Sequence, residues 1–101
     1  MKKRLCLKDA LGRFYPKLSH IVRLEADGCY TVFYLVNGSV HTQSGPIGSY
    51  YDRIKQEDLF FRIHKSHVIN LLFVYRIENC GFVIMLDGAR LPISQNFQQG
   101  A

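Results

Sequence analysis

Apolar side chains recur at every second position through much of this chain, and short glycine-bearing dipeptides interrupt the pattern. Tyr30, Val32, Tyr34 and Val36 alternate with Thr31, Phe33 and Leu35. Val22, Leu24 and Ala26 alternate with Arg23 and Glu25, and Leu5 and Leu7 with Cys6 and Lys8. Phe73, Tyr75 and Ile77 alternate with Val74, Arg76 and Glu78, which predicts a strand with its charges on one side. Phe82 to Leu86 is a continuous apolar run and reads as a strand buried on both faces. Asp27-Gly28, Asn37-Gly38 and Asp87-Gly88 sit between such runs and supply the positive φ of tight hairpins.

One stretch follows a different period. After Gly45-Pro46, Ile47, Tyr50, Tyr51 and Ile54 recur at three- and four-residue spacing. They form one apolar stripe, with Asp52, Arg53 and Lys55 on the other side. The pattern predicts a helix with Pro46 at its first position, ending before Asp58. Ser94 is a good N-cap for a last turn. The expected fold is mainly β: antiparallel sheets with one short helix, in a single domain over residues 1–101 with its core from about 5 to 97.

Composition narrows the class. With 48% hydrophobic and 21% charged residues the chain has an ordinary globular balance, and no apolar run is long enough to span a membrane. The basic start Met1-Lys2-Lys3-Arg4 lacks the apolar stretch of a signal peptide. Cys6, Cys29 and Cys80 are scattered and odd in number, which fits reduced thiols in a cytoplasmic protein. Net charge is +5: residues 1–30 carry +4, residues 31–60 carry −1, and residues 61–101 carry +2. This balance favours nucleic acid, acidic lipid or acidic protein partners.

Three polar clusters stand beside apolar anchors. In Phe61-Arg62-Ile63-His64-Lys65-Ser66-His67-Val68-Ile69-Asn70-Leu71, a strand enters the core and another returns, leaving Lys65 and Ser66 at the turn. Such a pair suits phosphate contact, or a lysine contact to guanine acceptors; the plainer reading is a solvated turn. In Leu91-Pro92-Ile93-Ser94-Gln95-Asn96-Phe97, the amides of Gln95 and Asn96 suit adenine, or are simply hydrated behind a capping Ser94. At Asp27-Gly28-Cys29-Tyr30-Thr31, Tyr30 either reaches a phosphate or stacks, or is an ordinary cross-strand aromatic. His64 and His67 lack a third ligand nearby in sequence, so no metal or other cofactor is expected. No nucleophile elbow, phosphate-cradling glycine loop or spaced acid–base pair is present, so no enzyme activity is expected.

The chain resembles a LytTR-type DNA-binding domain, the output module of a class of bacterial response regulators. The resemblance runs from about Leu5 to Phe97. It rests on Ile21 to Thr31, on Phe60 to Leu71, and on Asp87-Gly88-Ala89-Arg90-Leu91-Pro92-Ile93-Ser94, in matching order and spacing. It implies an elongated fold of small antiparallel sheets that reads duplex DNA with loop tips in successive major grooves. It places base-reading roles on Tyr30, Lys65 and Gln95, and backbone-positioning roles near Thr31, Ser66, Ser94 and Asn96. It also implies transcription regulation in a two-component phosphorelay, with a receiver domain or sensor kinase upstream and homodimers on paired promoter sites. The family often has Arg at Gln95, Arg or Asn at Lys65, and an aromatic residue at His67; glutamine favours adenine where arginine clamps guanine. The competing expectation is a protein-interaction module on the same β scaffold that has lost base reading.

Overall fold

The computed structural model describes residues 3–94. Among the described residues, ten strands form three antiparallel sheets, with one α-helix packed on a face of the largest. Strand β1 (Leu7–Asp9) pairs with β2 (Gly12–Phe14) in a separate hairpin. The main sheet holds β3 (Ile21–Asp27), β4 (Tyr30–Leu35), β5 (Val40–Ser44), β6 (Phe60–His64) and β7 (His67–Asn70), in the order β5-β4-β3-β7-β6. The third sheet holds β8 (Val74–Glu78), β9 (Phe82–Met85) and β10 (Arg90–Pro92), in the order β10-β9-β8. Helix α1 (Ile47–Ile54) joins β5 to β6.

Period-two alternation makes the main sheet two-faced, and both faces are covered. Leu24, Phe33, Phe60 and Val68 point to one face, where they pack with Ile47, Tyr50 and Ile54 of α1 and with Leu5 and Leu7. Phe33 and Tyr50 meet edge to face at 5.1 Å. Val22, Ile63 and Ile69 occupy the other face, under Val83, Met85 and Leu91 of the third sheet. The result is a three-layer body with extents of 42 × 27 × 24 Å.

Helix α1 forms where its apolar stripe was expected, but Pro46 is its N-cap and stands just outside the first turn, in extended conformation (φ −77°, ψ 151°). Two strand readings change. Along Phe82–Met85 only Val83 and Met85 are buried, because the third sheet packs on one side alone. On β8, Tyr75 and Ile77 are 64% and 60% exposed. That strand is a sheet edge, and its register shifts between Val74 and Arg76, so alternation there does not deliver an apolar face to the core.

Asn70 is fully buried at the end of β7. Its Nδ2 donates to the Ile21 carbonyl at 2.8 Å, and its Oδ1 accepts from the Leu72 N–H at 2.9 Å. One amide thus ties the start of β3 to the 3-10 turn Leu71–Phe73. It is an internal fastener and not part of the exposed polar cluster that its neighbours form.

Candidate nucleic-acid interface

Strand direction decides which turns share an end of the molecule. β3 runs antiparallel to both β4 and β7, with Asp27 opposite Tyr30 and Glu25 opposite His67. The β3–β4 turn at Gly28-Cys29 and the β6–β7 turn at Lys65-Ser66 therefore emerge side by side. The Ala26 N–H donates to the Ser66 carbonyl at 2.9 Å and locks the two together. Gly28 holds φ 59°, the left-handed conformation that makes the first turn tight. The end of β5 joins the same edge: Tyr30 pairs with Ser44, and the Gly45 N–H donates to the Cys29 carbonyl at 3.0 Å.

The chain leaving β10 arrives there too. The Ser94 N–H donates to the Ile63 carbonyl at 2.8 Å, two residues before Lys65. Three segments far apart in sequence thus meet at one end of the main sheet, around residues 28–31, 63–67 and 94.

Tyr30 is 52% exposed, and Lys65 stands exposed at the top of its turn. Ser66 and Ser94 are half-buried beside them. Gln95 and Asn96 lie outside the described residues. Thr31 is turned inward. It follows Tyr30 on β4, so it points to the opposite face of the sheet, where it is fully buried and its hydroxyl donates to the Gly45 carbonyl at 2.9 Å. Its place is under the tip, holding the start of α1 to β4, and not against a phosphate.

The β6–β7 turn is braced from both sides. Arg62 Nη2 donates to the Lys65 carbonyl at 2.9 Å. The Ser66 N–H donates to His64 Nδ1 at 3.0 Å, so the His64 tautomer that fits carries its proton on Nε2. Arg62 was not among the expected site residues. Its position three before Lys65 allows it to reach back across the turn, a signal that only the hairpin register reveals.

Below the tips lies a polar cluster on the Tyr30 face. Glu25 accepts from Arg23 Nη1 at 2.8 Å and from the Tyr34 hydroxyl at 3.3 Å, and the Arg23 guanidinium covers the Tyr34 ring at 3.7 Å. The His64 and His67 rings lie 5.5 Å apart. His67 Nδ1 is buried without a hydrogen-bond partner. Burial pushes this imidazole below the ordinary histidine value of 6.5; Glu25 opposes the shift, while His64 and Arg23 reinforce it. Among the described residues no group of three His, Cys, Asp or Glu side chains is arranged to hold a metal ion. Cys6, Cys29 and Cys80 are free and exposed.

A family model, the LytTr DNA-binding domain, matches residues 13–100. The chain belongs to the LytTr DNA-binding domain family. The fold of this LytTr domain also matches a solved structure from Bacillus cereus, the LytTr DNA-binding domain of a protein described as a methyl-accepting/DNA response regulator. The two share 23% sequence identity with a TM-score of 0.80, over 96% of this chain and 91% of the other. No curated protein matches the chain. Among the described residues no helix is long and apolar enough to cross a membrane.

Proposed function

We propose that this LytTr domain binds duplex DNA sequence-specifically and regulates transcription in the cytoplasm of a bacterial two-component system. The observation that carries the reading is the meeting of the Gly28-Cys29 turn, the Lys65-Ser66 turn and Ser94 at one end of the main sheet. Lys65 suits guanine acceptors or a phosphate, and Tyr30 a phosphate or a stacked base. Gln95 is the adenine reader in this scheme, and Ser66, Ser94 and Asn96 fix the register on the backbone. Net charge of +5 supplies the sequence-independent attraction. The domain acts by binding and carries out no catalysis of its own. A receiver domain under a sensor kinase, and pairing of two copies on adjacent sites, complete the scheme.

Duplexes selected from a random library by the purified domain test it. Log Kd against log salt on a selected duplex is expected to be steep, by roughly 0.9 for each phosphate neutralised. Lys65→Ala is expected to cost about 1–3 kcal/mol on the selected duplex and much less on random DNA. A flat salt response, or equal loss on both duplexes, contradicts base reading by this turn.

A second reading has one observation in its favour. Tyr75 and Ile77 lie exposed on the unpaired edge of β8, a place where another chain's strand can add. A protein partner captured through this edge, together with no selected duplex, would favour an interaction module.

A further inference from the structure

The β1–β2 hairpin points toward the same end of the molecule as the three tips. Gln43 fixes its level: Gln43 Oε1 accepts from the Lys8 N–H, and its Nε2 donates to the Lys8 carbonyl, both at 2.8 Å. Gln43 sits opposite Thr31, one residue from Tyr30. Further back, the Phe14 ring meets His41 at 4.7 Å, and the backbones of Arg4 and Lys17 pair antiparallel. The hairpin thus runs up alongside β5, from Lys17 past Phe14 to Lys8, and its turn at Ala10-Leu11 lies beyond Lys8. At about 3.3 Å per residue the turn reaches the level of Gly45 and the β3–β4 tip. Leu11 is 98% exposed, so the hairpin end stands clear of the body.

Its charges are free to act on something outside. Leu7 points into the core, so its neighbour Lys8 points away, and Arg13 pairs with Lys8 across the hairpin on the same side. Both are exposed, and neither joins an ion pair among the described residues. Asp9, the acidic residue between them, spends its Oδ1 on the turn, accepting from the Leu11 and Gly12 N–H groups at 2.9 and 3.1 Å. Three strand spacings, roughly 14 Å, separate β7 from β5, which is more than the width of a major groove. With Lys65 in a major groove, a hairpin on the β5 side is set to meet the flanking sugar–phosphate edge.

We infer that the β1–β2 hairpin is a separate phosphate clamp, in which Lys8 and Arg13 grip the DNA backbone outside the region the tips read. The inference rests on the DNA-binding reading above and extends it to residues that reading does not use. Lys8 lies outside the stretch 13–100 shared with the family.

The test compares the wild-type domain with the double variant Lys8→Ala/Arg13→Ala on a selected duplex. The bonds to Gln43 come from the Lys8 backbone, so the variant keeps them, and an unchanged melting temperature checks the fold. Losing two phosphate contacts lowers the salt slope by about 1.8, so the ratio of variant to wild-type Kd falls roughly tenfold between 50 and 200 mM salt. The loss is the same on random DNA. Trimming the duplex from one end is expected to weaken the wild type and leave the variant unaffected, whereas trimming from the other end affects both alike. Equal salt slopes, or equal responses of the two proteins to trimming at both ends, overturn the clamp while leaving the tips as readers. A wild-type domain that binds no duplex with a salt-dependent affinity overturns both.

Discussion

Single residues show where local sequence carries meaning and where the fold reassigns it. The exposure of Lys65 and Tyr30 was legible, because a polar residue beside a turn in an otherwise alternating run emerges at the surface. Thr31 illustrates the opposite: adjacency to Tyr30 in sequence places it on the other face of the strand, and its hydroxyl serves the Gly45 carbonyl. Asn70 shared a polar cluster with Lys65 in sequence, yet its bonds to Ile21 and Leu72 depend on the pairing of β7 with β3. Asn70→Ala leaves buried backbone groups without partners, and chemical denaturation is expected to show a loss of roughly 2–4 kcal/mol. His67 gives a pH dependence of stability. Its folded pKa lies below 6.5, so as pH falls below that value the unfolded chain takes up the proton more readily than the folded one. Stability contributed by the neutral imidazole is complete above pH 6.5 and declines as pH drops toward the folded pKa. Melting temperatures from pH 7.5 to 5 are expected to fall less steeply for His67→Phe than for the wild type; parallel curves contradict this assignment.

Elements were legible where period and turn chemistry agree. The stripe Ile47, Tyr50, Ile54 specified α1, and Asp27-Gly28 specified the β3–β4 turn. Alternation failed on β8, and the continuous apolar run of β9 overstated its burial, since only Val83 and Met85 are buried there. Alternation reports which residues share a face, but not whether anything covers that face, and edge strands are covered least. The structure makes two residues of similar hydrophobicity in one sheet very unequal. Met85→Ala, at a buried position, is expected to cost about 2–5 kcal/mol. Ile77→Thr, at the exposed edge, is expected to stay within about 0.5 kcal/mol of wild type. Urea unfolding of the two variants checks the contrast. A large loss at Ile77 would mean that the β8 edge is covered in solution, as a second copy or a partner chain would cover it.

At the scale of the whole molecule, sequence identifies the segments and only topology assembles them. Ala26 and Ser66 are forty residues apart, and Ile63 and Ser94 thirty-one, yet each pair closes a backbone hydrogen bond at the same end of the main sheet. The resemblance in sequence singled out these stretches one by one; the order β5-β4-β3-β7-β6 explains why they lie together. The two faces of that sheet are covered by packing, one by α1 and one by β8–β10, and the end that carries the Gly28-Cys29 and Lys65-Ser66 turns is tied together by backbone hydrogen bonds. The central claim is that this end faces the duplex. Amide shifts of the isotope-labelled domain, titrated with a selected duplex, test it most directly. The account predicts shifts clustered at residues 28–31, 63–67 and 93–96, with Asp52, Lys55 and the β8 edge unmoved; shifts concentrated at Tyr75–Ile77, or scattered evenly over the surface, would contradict it.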